Sequence, residues 1–250
     1  MINRIISVGF LVFIALSSIL FFLIALTLRL LTGFFDRRLV LLHYFTCFWA
    51  SVYTWIMPAW SVSIHDRRHI RKGVTYMVVS NHQSQLDILL AFRLFFPFKW
   101  VSKAEVFKVP LIGWNMVLNR YIKLKRGDKD SIRQMMDQCE ETLSNGSSVY
   151  FFPEGTRSET GVLKPFKPGA FILAKKLQVP ILPIVINGSK NALPKHSLNF
   201  HGKHHMHITV LEEIPPATFA ELPVEEIIRM VREKIAACLG GDRESAGHPS

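Results

Sequence analysis

A histidine and an aspartate with four residues between them carry the clearest chemical signal in this chain. His82 and Asp87 lie within residues 80–87, a polar stretch that directly follows an apolar run. On a straight helix this separation turns a side chain through about 140°, so the two can meet only if His82 lies in a turn before the helix. Asp87 would then accept the proton of one imidazole nitrogen and leave the other nitrogen as a base. The alternative is that the pair only caps and solvates the start of a helix.

A second polar stretch supplies groups suited to binding a phosphate. Residues 151–158 run out of another apolar segment and contain the carboxylate of Glu154, the hydroxyl of Thr156 and the guanidinium of Arg157. Gly155 would let the backbone approach a ligand closely, and a guanidinium has the planar fork that matches phosphate. Taken alone, the stretch also fits an ordinary surface turn. A base in one corner and an anion site in another indicate an enzyme that acts on a phosphorylated alcohol.

Together the two stretches resemble the motifs of the glycerolipid acyltransferase family. Asn81-His82-x-x-x-x-Asp87, followed about 65 residues later by the run from Phe152 to Ser158, is most similar to bacterial 1-acyl-sn-glycerol-3-phosphate acyltransferases. Residues 121–126 resemble a strand that ends in a phosphate-binding arginine, and residues 179–184 resemble the proline-containing block of the family. The similarity extends from Thr75 to Pro216.

The resemblance implies transfer of a fatty acyl group from an acyl thioester to the free hydroxyl of lysophosphatidic acid, giving phosphatidic acid. His82 would be the general base, with Asp87 orienting it and stabilising the imidazolium. The acceptor phosphate would be bound by Arg126, Glu154, Gly155, Thr156 and Arg157. Pro183 would shape the side of the acyl donor, which is acyl-CoA or acyl-carrier protein. No metal or other cofactor is implied because a thiolate is a good leaving group, and Ser84 has nothing that marks it as a nucleophile.

Two positions in the second block differ from the usual family pattern. Arg120 stands where family members usually have a glycine, and Lys125 stands where they usually have an aspartate. A more basic phosphate site would suit another lysolipid acceptor, such as a lyso-ornithine lipid, although the two residues also fit a solvated strand end. The remaining alternative is a lipid-binding protein without activity, against which the intact pair of His82 and Asp87 argues.

The segments that would position these groups alternate between short apolar runs and amphipathic stretches, which predicts an α/β domain with a mixed sheet flanked by helices. Ser80 or Asn81 is expected to cap the helix after the first strand, and Asp130 a later helix that stops at residues 145–146. The predicted strands are residues 76–80, 99–102, 121–124, 148–152, 181–186 and 207–211, and further helices are predicted at 168–177 and 224–239.

Two apolar segments precede this domain. Residues 5–28 would reach about 36 Å as a helix, enough to cross a bilayer. Residues 39–60 are rich in aromatic side chains, which is typical of a membrane interface. Basic residues lie between the segments, at Arg37 and Arg38, and after the second one, within residues 67–72. If both basic clusters are cytoplasmic, the second segment lies in the inner leaflet without crossing; a two-span hairpin is the alternative.

The overall composition fits a protein that works at a lipid surface. A formal net charge of +11 accompanies 49% hydrophobic residues, which suits an anionic membrane surface, and no base-reading motif indicates nucleic acid. Cys47, Cys139 and Cys238 form neither a disulfide pattern nor a metal spacing, which favours a reducing compartment. With the resemblance to bacterial enzymes, we expect a bacterial inner membrane protein with a cytoplasmic catalytic domain.

The expected organisation is a membrane-anchoring segment at residues 1–60, an acyltransferase domain at 61–239 and a disordered tail at 240–250. A group of histidines, namely His201, His204, His205 and His207, lacks a carboxylate or cysteine at a metal-binding spacing. A basic surface strand is therefore predicted there, without a metal.

Overall fold

The structure is a computed structural model that describes residues 2–193 and 203–245. Within those residues, the strands are β1 (Trp60–His65), β2 (Met77–Ser80), β3 (Phe98–Lys103), β4 (Ile122–Leu124), β5 (Ser148–Phe151), β6 (Ile181–Asn187) and β7 (His204–Val210). The helices are α1 (Ile2–Thr32), α2 (Val40–Ile56), α3 (Leu86–Phe92), α4 (Ile112–Leu118), α5 (Lys129–Ser144), α6 (Gly169–Leu177), α7 (Ser189–Ala192), α8 (Pro216–Phe219) and α9 (Val224–Ser245). Short 3-10 helices cover Arg67–His69 and Ala104–Lys108.

The strands form one mixed sheet in the order β1-β7-β6-β2-β5-β3-β4, as the sequence predicts. The five strands from β6 to β4 run parallel to one another, β7 is antiparallel to β6, and β1 is parallel to β7. The carboxyl ends of β2, β5, β3 and β4 therefore lie next to one another at the same edge. Loops that follow such strand ends are where α/β proteins bind ligands.

Helices cover both faces of the sheet, because its central strands are apolar on both sides. In β2, Met77 and Val79 pack in a core cluster with residues of α5, α6 and α9, whereas Val78 packs with residues of α2 and α3 on the other face. Side chains alternate between faces along a strand, and a continuous apolar run is the pattern of a parallel strand buried on both sides. This three-layer arrangement holds the strand ends rigidly.

All six predicted strands are present, and one further strand was not predicted. The largest shift in position is at β7, which begins at His204, three residues before the predicted start. The missed strand is β1, in which Ser61 and His65 are exposed while Trp60 is buried and Ile64 is half-buried. The sequence did not predict β1 because this strand follows directly on the aromatic segment assigned to the membrane.

Two helix boundaries correct the predictions. The cap of α5 is Asp128 rather than Asp130: the backbone of Asp128 is extended and its Oδ1 accepts a hydrogen bond of 3.0 Å from the amide of Ser131. The last helix continues to Ser245, so the predicted disorder is wrong for residues 240–245. Residues 240 and 241 are glycines inside α9. A glycine weakens a helix by only about 1 kcal/mol, so these residues do not end it. Residues 246–250 of the predicted tail, like His201, lie outside the described residues.

The two apolar N-terminal segments form helices that differ in their surroundings. Within residues 6–32 of α1, an 18-residue window has a mean hydropathy of 2.8 and 11% of it is buried, so by length and composition this helix could cross a membrane. In contrast, α2 packs on the α/β domain: Thr46 accepts hydrogen bonds of 3.2 Å from Asn115 and 3.0 Å from Asn119. The predicted boundary at residue 60 therefore does not separate two packed units, and membrane anchoring by residues 1–60 stays a prediction.

Candidate active site

The histidine and aspartate of the first motif are in direct contact. Nδ1 of His82 lies 2.8 Å from Oδ2 of Asp87, whose side chain is fully buried. His82 lies in the turn between β2 and α3, four residues before α3 begins at Leu86. This is the geometry that the sequence required if the pair was to act together.

Asp87 also organises the turn around the histidine. The same oxygen, Oδ2, accepts hydrogen bonds of 2.6 Å from the amide of Gln83 and 2.9 Å from the amide of Ser84. Because this oxygen is the acceptor for both amides, we assign Nδ1 of His82 as the donor in its contact with Asp87. Nε2 is then the nitrogen with a free lone pair, which is the form of imidazole that can accept a proton from a hydroxyl.

The predicted caps of α3 are replaced by other contacts. Asn81 pairs with the main chain of Ile186, donating to its carbonyl and accepting from its amide, each at 2.8 Å. The hydroxyl of Ser80 donates to the carbonyl of Asn81. Neither residue caps the helix, because Asn81 instead extends the pairing between β2 and β6 beyond the end of the strand. Asp87 supplies the oxygen that binds the amide groups ahead of the helix.

The second motif holds the main chain and ring of His82 in place. The amide of Ser158 donates to the carbonyl of His82 at 2.8 Å, and Oε1 of Glu154 accepts from the amide of His82 at 2.8 Å. The imidazole stacks on the ring of Phe152, with centroids 3.9 Å apart and planes inclined by 14°. The base is therefore fixed through its amide, its carbonyl, its ring face and Nδ1.

Glu154 has a different role from the one its motif suggested. Its second carboxylate oxygen, Oε2, accepts from the amide of Lys164 at 2.9 Å, and the residue is 5% exposed. Burial raises the pKa of this carboxyl group, while hydrogen bonds from the amides of Lys164 and His82 oppose the rise. Glu154 does not line the cavity beside His82. Both carboxylate oxygens are bound to backbone amides, so this side chain joins the two motifs, and its contact with the acceptor phosphate stays a prediction.

A cavity of about 450 Å³ opens beside His82, within the usual range for small-molecule sites. Its polar end is formed by His82 together with Lys103, Arg126, Thr156 and Arg157. These groups follow β2, β3, β4 and β5, the four neighbouring strands whose carboxyl ends meet. The structure thus brings the predicted base and both predicted arginines to one space.

The other end of the cavity is apolar and is built from helices α2, α3 and α4 with β3. Its walls include Trp49, Ile88, Leu89, Phe92, Trp100 and Met116. A cavity that is cationic at one end and apolar at the other matches a ligand that carries an anionic group and a hydrocarbon chain. Sequence reasoning missed this wall because its residues come from segments far apart in the chain.

Gly155 lines the cavity in a conformation that favours glycine. Its φ of +69° lies in the left-handed region, and a Cβ there would lie 2.9 Å from Cε of Lys167. Any larger residue would be strained and would also displace the lysine side chain. The predicted close backbone approach at this position is consistent with the geometry.

Three other predicted positions lie outside the cavity lining. Pro183 is buried inside β6, paired with Val79 of β2, and its role on the donor side stays a prediction. Lys125 forms an ion pair with Asp128 at 3.0 Å. Arg120 is exposed, and its φ of +54° is a conformation that glycine adopts freely. The extra basic residues therefore do not add cations to the site, and the case for a different headgroup loses its support.

Two further residues complete the account of the site. Lys103, at the end of β3, contributes a cation that was not predicted, although the convergence of parallel strand ends would have indicated it. Ser84 is fully buried and its hydroxyl donates to the carbonyl of Leu193 at 2.8 Å, so it is not placed as a nucleophile. Within residues 2–193 and 203–245, no group of three or more His, Cys, Asp or Glu side chains is placed to hold a metal ion.

Comparison with known sequences finds the same family along the chain. A family model described as Acyltransferase matches residues 61–187. The chloroplastic 1-acyl-sn-glycerol-3-phosphate acyltransferase of Brassica napus is 36% identical over 197 residues, which are 78% of this chain and 57% of that protein. A relative of the same name from Chlamydomonas reinhardtii is 34% identical over 90% of this chain and 66% of its own length. The chain thus spans less than two thirds of these relatives.

Comparison with solved structures finds a similar fold. The crystal structure of the 1-acyl-sn-glycerophosphate acyltransferase of Thermotoga maritima superposes with a TM-score of 0.70 and 24% sequence identity. The match covers 94% of this chain and 97% of that one. The two chains share a fold along almost their whole length, including the N-terminal helices.

Proposed function

We propose that this chain, which belongs to the acyltransferase family, transfers a fatty acyl group from an acyl thioester to the free hydroxyl of lysophosphatidic acid and so makes phosphatidic acid. The observation that carries the proposal is one cavity with a base, two arginines and an apolar wall. His82, Arg126 and Arg157 line it beside aromatic and aliphatic residues. The names of the plant and algal relatives point to the same substrate.

The proposed reaction is a direct transfer without an acyl-enzyme. Nε2 of His82 takes the proton of the acceptor hydroxyl as its oxygen attacks the thioester carbonyl carbon. The carbon–sulfur bond then breaks, the thiolate leaves, and the imidazolium returns the proton to it. Asp87 stabilises the positive charge on the imidazolium through its contact of 2.8 Å with Nδ1. Ser84 is not available as an intermediate nucleophile because its hydroxyl is bound to the main chain.

The two ends of the cavity bind different parts of the substrates. Arg157 and Arg126 bind the acceptor phosphate, since a guanidinium offers paired donors to phosphate oxygens. Thr156 and the backbone at Gly155 border the same end. The apolar wall takes a hydrocarbon chain, and Lys103 adds a cation beside the reacting groups. Acyl-CoA or acyl-carrier protein supplies the thioester.

An acceptor panel tests this proposal. The purified full chain is assayed with lysophosphatidic acid, lysophosphatidylcholine, a lyso-ornithine lipid and monoacylglycerol, each with acyl-CoA and with acyl-carrier protein. We expect lysophosphatidic acid to have the highest kcat/KM with at least one donor, because the paired arginines require a phosphate that is not shielded by a further headgroup. Preference for the lyso-ornithine lipid would overturn the substrate, and no turnover in any combination would overturn the activity.

We also propose that the protein lies on the cytoplasmic side of a bacterial inner membrane. The helix of residues 6–32 supplies the anchor, α2 packs on the catalytic domain, and the net charge of +11 favours anionic lipid. Thiol labelling of Asp36→Cys and Ile70→Cys, in a Cys238→Ser background, tests this arrangement. Both thiols should react only from the cytoplasm, and labelling of either from outside would mean that α2 crosses the membrane.

A further inference from the structure

A second cavity of about 450 Å³ lies at the opposite edge of the sheet from the active site. Its wall includes Phe98 and Ser148, the first residues of β3 and β5, and Val74, which precedes β2. Since these strands are parallel, their amino ends lie away from the edge that carries His82. Among the described residues, no side chain lines both cavities.

The second cavity is strongly basic. In the part of the chain that the structure describes, its lining contains no carboxylate and five cations, which are Arg38, Arg67, Arg71, Lys72 and Lys99. Arg71 is paired with the carboxylate of Glu213. For the other four, no ion pair with a carboxylate is formed within residues 2–193 and 203–245. The space therefore has an excess of positive charge that an anion would neutralise.

Two of the arginines are held in place by neutral groups. Nη1 of Arg38 donates to the carbonyl of Gly146 at 2.9 Å. Nε and Nη2 of Arg67 donate to the carbonyls of Leu94 at 2.7 Å and Phe95 at 3.0 Å. Carbonyl oxygens fix a guanidinium without cancelling its charge, and they leave its remaining N–H donors for a ligand. Both guanidiniums are exposed, but their positions are fixed before any ligand binds.

Lys99 forms the buried wall of this cavity. The residue is 6% exposed, and its ammonium donates to the carbonyl of Asn119 at 2.9 Å. Burial lowers the pKa of Lys99 to about 8, although Asp36 acts in the opposite direction. A buried ammonium is unfavourable without an anion nearby, so an anionic ligand in the cavity would stabilise its charged form.

Apolar side chains adjoin these cations on the side of α1. Tyr44, Ile70 and Phe95 line the cavity. Phe34 and Phe35, four and three residues before Arg38 in the chain, are 78% and 60% exposed. These exposed rings follow the apolar helix α1 and fit the acyl region of a bilayer, which would place Arg38 at the depth of lipid headgroups. The combination matches a ligand that carries both a phosphate and an apolar part.

We propose that this second cavity binds the phosphate group of an anionic lipid, at a site separate from the one where acyl transfer takes place. The lipid would hold the amino ends of the parallel strands against the membrane surface, while substrates bind and react at their carboxyl ends. The inference does not depend on acyl transfer, because it rests on the charge and burial of residues outside the active site.

Hydrogen exchange with defined probes tests this site. The full chain in detergent carries Arg157→Ala, which weakens phosphate binding in the active site, and is titrated with dihexanoyl phosphatidic acid, dihexanoyl phosphatidylcholine or inorganic phosphate. We expect the phosphatidic acid to protect amides at residues 71–75 and 146–148. The double variant Arg38→Ala/Lys72→Ala should weaken this binding by about tenfold or more, as expected for the loss of charge-assisted contacts.

A matched control separates the site from the general charge of the surface. Arg37→Ala/Arg68→Ala removes the same charge from exposed neighbours that do not line the cavity, and it should change the affinity by less than about twofold. Equal weakening by both pairs, or no protection by any probe, would overturn the proposal. Equal protection by inorganic phosphate would overturn the lipid as the source of the phosphate group. In a chain that keeps Arg157, the Arg38→Ala/Lys72→Ala variant should transfer acyl groups to a soluble short-chain acceptor at the wild-type rate.

Discussion

The two cavities at opposite edges of the sheet have nearly the same volume, about 450 Å³, but only one contains a base. Both are lined by arginine, lysine and aromatic side chains. The active-site cavity adds His82 in contact with Asp87, whereas the described lining of the second cavity contains no histidine. We propose that cations and apolar walls recognise a phosphorylated lipid in both cavities, and that the histidine and aspartate make one of the two a reaction centre.

The two cavities also differ in the groups that hold their charged side chains. Around the active site, two buried carboxylates, Asp87 and Glu154, together accept hydrogen bonds from the amides of His82, Gln83, Ser84 and Lys164. In the second cavity, main-chain carbonyls hold Arg38 and Arg67. The bonds of Arg38 and Arg67 are also charge-assisted, because the guanidinium is ionised. The base differs in the number of its contacts, since it is held through its amide, its carbonyl, its ring face and Nδ1.

The largest expected effect comes from removing the base, which would make the active-site cavity chemically similar to the second one. His82→Ala should lower kcat by about 10³-fold or more while the acceptor still binds, because general base catalysis typically contributes 10²- to 10⁴-fold. Asp87→Asn should also be severe, since an asparagine favours the wrong imidazole tautomer. Initial rates with saturating lysophosphatidic acid measure both effects. His65→Ala, on an exposed histidine of β1, is the control, and near-normal turnover by folded His82→Ala protein would rule out the mechanism.

A smaller effect is expected when the carboxylate that joins the two motifs is altered. Glu154→Gln keeps one acceptor oxygen but turns an N–H group towards one of the two amides, of His82 or of Lys164, so one hydrogen bond is lost. Because Glu154 binds the amide of His82 and does not line the cavity, kcat should fall by about tenfold or more while the KM for lysophosphatidic acid changes little. Glu141→Gln removes an exposed charge on α5 as the control. A rise in acceptor KM with unchanged kcat would show that Glu154 binds the acceptor instead.

Much of the site is predictable from the sequence because it depends on local patterns. His82 and Asp87 follow one apolar strand and Arg157 follows another, and the ends of parallel strands converge in any sheet of this type. The role of Glu154 was not predictable, because its residue type does not tell whether the carboxylate faces a ligand or a backbone amide. The burial of Pro183 was not predictable for a similar reason: its block is a buried strand, and it lies outside the lining of the cavity.

The helical wall and the second cavity could not be predicted, since they bring together residues that lie far apart in the chain. Trp49 and Met116 line the same cavity only because α2 packs on the domain. Arg38 and Gly146 meet only because the loop after α1 reaches the amino end of β5. The basic residues were visible in the sequence, but their enclosure around Lys99 depends on the packing of the whole domain.

A further expected effect concerns stability and not activity: it is a pH dependence that arises at the second cavity. The pKa of Lys99 is lowered to about 8 by burial, so between about pH 8 and its ordinary value of 10.5 the unfolded chain binds more protons than the folded chain. Stability should therefore rise with pH across this window, by up to about 3 kcal/mol relative to Lys99→Met. Denaturant unfolding of both proteins from pH 7 to 10.5, without lipid, measures the difference. Parallel curves for the two proteins would mean that Lys99 is not desolvated.

The central claim is that one cavity contains both a general base and an arginine that binds the acceptor phosphate. A comparison of two acceptors tests this claim most directly. Wild type and Arg157→Ala are assayed with lysophosphatidic acid and with monoacylglycerol, which lacks the phosphate, and the donor KM is measured in both proteins. The account predicts that Arg157→Ala lowers kcat/KM for lysophosphatidic acid by about tenfold or more, as expected for a lost charge-assisted contact, while monoacylglycerol and the donor KM change by less than about twofold. Equal losses with both acceptors, or a rise confined to the donor KM, would contradict it.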